Sequence, residues 1–223
     1  RDFVANISHE LKTPVGALGV LAETLAGEHD PEVIERLAAR MQKEAFRVAR
    51  TIDDLLQLSQ IEASGVPEAE TVALEAVLAE AVERTRAAAD LAEVRLEIEP
   101  VAPHLKVWGD RLQLVSAVAN LCDNAVKYSD ADGVVTLSAG PAEGQPGWLA
   151  LSVADEGIGI PATDLDRVFE RFYRVDRARS RDTGGTGLGL AIVRHVVQNH
   201  HGEVTVTSHE GEGSTFTLKL PVG

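Results

Sequence analysis

His9 carries the clearest preparation for chemistry in this chain. Ser8 and Glu10 flank it, and Leu11-Lys12-Thr13-Pro14 follows. A carboxylate beside an imidazole can hold or accept one ring proton, so that the other ring nitrogen presents its lone pair as a nucleophile. Thr13 falls one helical turn beyond His9 on the same face. Pro14 removes a backbone donor inside the helix and should bend it there. An outward-facing histidine is ordinarily only a surface residue; its neighbours give this one a chemical reading.

Three further constellations suit a nucleotide. In Asn120-Leu121-Cys122-Asp123-Asn124-Ala125-Val126-Lys127-Tyr128-Ser129, helical spacing puts Asn120, Asn124, Lys127 and Tyr128 on one face, while Leu114, Val118, Leu121 and Ala125 can pack inward. Amide oxygens suit a hard divalent cation, and a lysine is a point charge for phosphate. Asp155-Glu156-Gly157-Ile158-Gly159-Ile160 ends an alternating segment in an acid and two glycines. Such a carboxylate can accept from an exocyclic amine, and the glycines let a flat ring approach the backbone. Gly184-Gly185-Thr186-Gly187-Leu188-Gly189-Leu190 opens a helical stretch, whose N-terminal amides and dipole favour phosphate. That run has neither the dinucleotide GxGxxG spacing nor the P-loop pattern. Each constellation alone has a plainer reading: a solvated helix face, a turn, a loop.

Between the last two lies a polar stretch, Pro161 to Thr183, with Phe169, Phe172 and Tyr173 among Arg167, Arg171, Arg174, Arg177, Arg179 and Arg181. One reading is a lid whose arginines meet phosphates. The other is a surface helix laced with ion pairs to Asp164, Asp166, Glu170 and Asp176.

These residues need elements to hold them. From Val4 the apolar positions Ile7, Leu11, Pro14, Leu18, Leu21 and Leu25 alternate steps of three and four, a bundle seam that leaves His9 outermost. Gly27-Glu28-His29-Asp30 breaks the pattern, and Asp30 with Pro31 reads as an N-cap and first-turn proline. A second stripe, Ile34, Leu37, Met41, Ala45, Val48, Ile52 and Leu55, continues to about Ile61 and stops before Ser64-Gly65-Val66-Pro67. Two amphipathic helices make too small a core, so a second copy completing a four-helix bundle is expected. The alternative is packing of the stripe on the chain's own C-terminal half. Beyond the break the pattern is mixed: helices near 74–92, 110–129 and 188–200, strands at 94–98 and 149–153, and a closing hairpin of 204–207 with 215–220.

The 223 residues suffice for one or two domains, and 44% hydrophobic content is ordinary for a globular protein. A net charge of −14 argues against nucleic acid and against an anionic membrane surface. One cysteine forbids an intramolecular disulfide and fits a reducing cytoplasm. No apolar run reaches the ~20 residues needed to span a bilayer, and the abrupt helical start at Arg1 suggests a fragment of a longer protein.

Taken together, the chain resembles the sensor histidine kinases of bacterial two-component systems over essentially its whole length. Residues 3–14, FVANISHELKTP, look like that family's H box. Residues 120–129 resemble the N box, 155–159 the first glycine box, 169–172 the F box and 185–189 the second glycine box. The resemblance implies an α+β two-domain fold. Residues 1–64 would be a dimerisation and phosphotransfer hairpin in a dimeric four-helix bundle, 65–70 a linker, and 71–223 an ATP-binding α/β sandwich of Bergerat type. It further implies His9 as phosphoacceptor with Glu10 as base, and Thr13 positioning water in a phosphatase reaction. Asn124 would ligate magnesium with Asn120 assisting. Lys127 and Arg174 would contact phosphates, Tyr128 would flank adenine and Asp155 would read its amino group. Gly157, Gly159, Gly185, Thr186, Gly187, Leu188 and Gly189 would shape the ATP site. A response regulator receiver domain is the implied partner, and the 177–181 run resembles the phosphate-responsive branch. Gyrase- and MutL-type ATPases share this pocket but carry a glutamate where this chain has Asn120. An asparagine is a poor base for hydrolysis, which favours transfer to histidine. The linker around Gly65 is expected to act as a hinge.

Overall fold

The computed structural model describes residues 2–66, 68–175 and 185–222, with the side chains of residues 2–6 and 64 outside that description. The arginine run 177–181, Gly184 and Pro67 therefore lie outside the described residues. Helix α1 (Asp2–Ala26) runs through Pro14 without interruption, and α2 (Pro31–Ser64) packs back along it. The start of α2 is fixed as the sequence predicts: Asp30 is extended and its carboxylate accepts from the Glu32 amide at 3.0 Å, with Pro31 in the first turn.

The apolar stripe of α2 differs from the expected one. Leu37, Thr51, Leu58 and Ile61 are buried, whereas Ala45 and Ile52 face water. The reason is that two bodies compete for the helix. Its upper part meets α1, while Leu58 and Ile61 join the core of the C-terminal half. The chain thus packs the lower end of the stripe on itself, and Phe46 and Leu56 stay exposed.

The C-terminal half is built on a five-stranded sheet in the order β2-β4-β5-β7-β6, with β2 (Arg95–Ile98), β4 (Val134–Pro141), β5 (Trp148–Asp155), β6 (Glu203–His209) and β7 (Gly213–Pro221). Among the described residues only the β2–β4 pair is parallel. Strand alternation puts Val135, Leu137, Leu149, Leu151, Val153, Phe216, Leu218 and Leu220 on one buried face. On the other face Ser152 and Thr217 pair across the strands, their hydroxyls 3.0 Å apart. Helices α3 (Leu74–Ala92), α4 (Arg111–Tyr128) and α5 (Gly189–Asn199) join the apolar face in one core. A two-stranded antiparallel sheet of β1 (Ala69–Ala73) and β3 (Lys106–Asp110) leads into α4.

Two contacts orient the helices that carry the candidate site. Asp110 caps α4, its carboxylate accepting from the Gln113 amide at 3.0 Å, and its own amide donates to His200 Nε2 at 2.9 Å. His200 in turn donates from Nδ1 to Val196 O at 2.7 Å, so the end of α5 is tied to the start of α4 through a neutral imidazole. The junction between the halves is also anchored. Gly65 O accepts from Gln113 Nε2 at 2.8 Å and from Asn199 Nδ2 at 3.3 Å.

Candidate active site

Helix α4 ends against a cavity of about 510 Å³, and the expected helix face lines it: Asn120, Asn124, Lys127 and Tyr128. The opposite residues of α4, Leu114, Val118, Leu121 and Ala125, are buried in the core, which fixes that orientation. Asp155 comes to the same cavity from the end of β5. Its carboxylate accepts from the Gly157 amide at 2.9 Å and from the Ser214 amide. Burial pushes its pKa up, and those two amides oppose the shift. The result is an oriented acceptor among Ile158, Ile160, Val168 and Phe216, the combination that a flat heterocycle with an exocyclic amine requires.

The other wall is polar. Gly185, Thr186, Gly187 and Gly189 line it, and among the described residues no side chain caps α5, an arrangement that offers the helix's first amides to a ligand. Close approach explains two of the glycines. A Cβ on Gly189 would meet Asn120 Oδ1 at 2.9 Å, and Gly187, at φ +74°, lies against the Phe172 backbone. Asn120 donates from Nδ2 to Ser116 O at 3.0 Å, so its amide oxygen is the end turned toward this loop. Lys127 is half-buried, and burial, with Arg174 and Arg50 adding repulsion, brings its pKa down from 10.5 to about 8. Its ammonium lies 5.0 Å from the centre of the Tyr128 ring.

His9 stands exposed on α1, with the Thr13 hydroxyl donating to its carbonyl at 3.2 Å. Neither His9 nor Thr13 lines the cavity. The link is Arg174, whose Nη2 donates to Gly185 O and lies 3.9 Å from Glu10 Oε2. One guanidinium therefore touches both the polar wall and the carboxylate beside the candidate nucleophile. The other described arginines of the stretch behave differently. Arg167 pairs with Glu170 and stacks 4.2 Å above the centre of the Tyr173 ring, as the ion-pair reading anticipated. Arg171 pairs with Glu62 of α2, an acid outside the expected set.

Two expected residues do not reach the cavity. Gly157 is buried, and a Cβ there would strike Tyr128 O at 2.3 Å, so its lack of a side chain serves packing of the loop on α4 rather than access of a ring. Leu188 is fully buried in the core. Conversely, Arg50 and Asp54 of α2 line the cavity although neither belongs to an expected constellation. The Thr186 hydroxyl donates to Asp54 Oδ2 at 2.6 Å, and Arg50 pairs with Asp123. Only the spacing of four between these polar residues on a helix face hinted at a shared partner.

Comparison with known proteins places both halves of the chain in described families. Residues 1–64 match the family described as the His Kinase A (phospho-acceptor) domain, and residues 109–223 match the histidine kinase-, DNA gyrase B-, and HSP90-like ATPase family. The sensor-like histidine kinase SenX3 of Mycolicibacterium smegmatis is 47% identical over 99% of this chain and 57% of its own length. The phosphate regulon sensor protein PhoR of Pseudomonas aeruginosa is 39% identical over 97% of this chain and 49% of its own. The chain thus spans about half the length of these curated relatives. Among solved structures, full-length ShkA in complex with AMPPNP aligns with a TM-score of 0.67 at 27% identity, covering 99% of this chain and 45% of that one.

Proposed function

This chain belongs to the sensor histidine kinases of two-component signalling, and we propose that it moves the γ-phosphoryl group of magnesium-bound ATP onto His9 and from there onto an aspartate of a response regulator receiver domain. The observation that carries this reading is Arg174, which meets Gly185 O in the cavity and Glu10 beside His9. In the transfer an imidazole nitrogen attacks the γ-phosphorus. A nitrogen–phosphorus bond forms, the bond from γ-phosphorus to the bridging oxygen breaks, and ADP leaves. Glu10 takes the ring proton from the opposite nitrogen. Lys127, Arg174 and the free amides of α5 stabilise charge on the phosphoryl oxygens, which matters more than covalent assistance in such a reaction.

The donor set fits magnesium. Amide oxygens at Asn120 and Asn124 border the polar end, and a cation carried on polyphosphate needs few protein ligands. Asn124 would hold the ion, with Asn120 assisting, and when bound it supplies neutralisation of the β- and γ-phosphates. Asp155 would read the adenine amino group, Tyr128 would flank the ring, and Gly159, Gly185, Thr186, Gly187 and Gly189 would shape the walls. Thr13, one turn from His9, would position water when the enzyme dephosphorylates its regulator.

In this reading residues 1–64 are the phosphotransfer hairpin, 65–70 the linker and 71–223 the ATP-binding domain. The exposed Val20, Phe46 and Leu56 support a homodimer joined through the hairpin. Among the described residues no helix is long and apolar enough to cross a membrane. We place this part in the cytoplasm, as the cytoplasmic part of a membrane-anchored sensor. The likeness to PhoR supports the phosphate-responsive branch. The test is Glu10→Gln in a labelling assay with γ-labelled ATP. It should slow labelling by about 10²-fold or more through loss of the base and leave ATP affinity unchanged; an unchanged rate would remove Glu10 as base.

A further inference from the structure

The polar wall of the cavity receives a cation from the other half of the chain. Arg50 projects from α2 and pairs with Asp123, 73 residues away on α4 and next to Asn124. One turn along the same face of α2, Asp54 holds the Thr186 hydroxyl, which also accepts from the Leu188 amide at 3.2 Å. Successive turns of α2 thus grip both sides of the polar end, the α4 side through Arg50 and the glycine-loop side through Asp54. Arg50 is near enough to Lys127 to disfavour its charge, as Arg174 is. Three cations on three elements therefore converge at the polar end, where the described acids beside them are Asp54, Asp123 and, next to Arg174, Glu10.

A guanidinium has five donors in a planar fork, and one carboxylate does not saturate them. A polyphosphate offers more charge than Asp123 and competes for the same fork. We propose that Arg50 binds the terminal phosphates of the nucleotide, so that the phosphotransfer hairpin supplies one wall of its own chain's nucleotide site. The inference rests on the ATP reading of the cavity. It makes tight binding of ATP conditional on the docked hairpin, and it gives the hairpin a direct contact that differs between ATP and ADP.

The alternative is that Arg50 only staples the two halves together through Asp123. Titration of the whole chain with ATP, ADP and AMP separates the two. Arg50→Gln should weaken ATP about tenfold, the scale of one charge-assisted hydrogen bond, weaken ADP less and leave AMP unchanged. Arg50→Lys should recover part of the loss. Asp123→Asn frees the guanidinium and should not weaken ATP. The proposal is overturned if Arg50→Gln binds ATP as the native chain does, if all three nucleotides weaken equally, or if Asp123→Asn reproduces the loss. Asp155→Asn distinguishes the two levels. Loss of all three nucleotides there, with unchanged ATP affinity in Arg50→Gln, defeats the role of Arg50 alone. Native binding of all three by Asp155→Asn defeats the nucleotide reading and the role of Arg50 with it.

Discussion

Lys127 is a cation held where its charge is disfavoured. Its pKa is lowered to about 8, first by burial and then by Arg174 and Arg50. Because a lowered value for a base means fewer protons on the folded chain, the empty protein gains stability as pH rises from about 8 to 10.5. Under the proposed role of Lys127, phosphate oxygens would reverse the balance and restore the charge. ATP binding at pH 8.5 should therefore take up protons, read as a binding enthalpy that varies with the ionisation enthalpy of the buffer, and Lys127→Met should abolish that dependence. A buffer-independent enthalpy in the native chain would contradict the assignment. Most of the cavity's residues were legible in the sequence because their chemistry is local: Asn120, Asn124 and Lys127 share a face by spacing alone. Arg50 and Asp54 were not, because only tertiary packing of α2 brings them to α4 and to the glycine-rich loop. The packing constraint on Gly157 was hidden for a similar reason. Its neighbour, Tyr128 O, is close in space and distant in sequence.

At the scale of elements, the site depends on the relative placement of α4 and α5, and His200 sets it. Burial lowers the His200 pKa, and its Nε2 accepts from the Asp110 amide, which requires the neutral ring. The sign is that of a base whose folded value is depressed. The unfolded chain binds the proton first, so this contribution is present above the ordinary value of 6.5 and is lost as pH falls below it. His200→Ala should lower stability by about 1–3 kcal/mol, since it leaves a buried amide without a partner, and should flatten the fall in stability between pH 6.5 and 5. Chemical denaturation at several pH values measures both; a variant with an unaltered pH slope would show that His200 is not the group responsible. The helices α3, α4 and α5 follow from their period, with ends within about a residue of those expected, and both strands of the β6–β7 hairpin run about two residues further into the turn than expected. Strands β1, β3 and β4 are absent from the expected set. Ala69-Glu70-Thr71-Val72-Ala73 has little strand propensity of its own and is held by pairing with residues 106–110.

The whole molecule is a hairpin docked by its lower end on an ATPase-like sandwich, with Leu58 fully buried between them. The two-domain plan was readable from the change of period near residue 64. The docking was not, because the stripe on α2 gives no sign of which body covers which turn. The upper hairpin keeps Phe46 in water, and a second copy is the expected cover. Sedimentation equilibrium at micromolar concentration should give a dimer for the native chain and a shift to monomer for Phe46→Glu, which places a charge in an apolar interface. A native monomer would contradict the four-helix arrangement.

The claim on which the account turns is that His9 receives the γ-phosphoryl group of ATP. Incubation with γ-labelled ATP and magnesium measures it directly. The account predicts label on the native chain that is lost in acid, survives base, and is absent from His9→Gln although that variant still binds ATP. Equal labelling of His9→Gln, or label that survives acid, would contradict it.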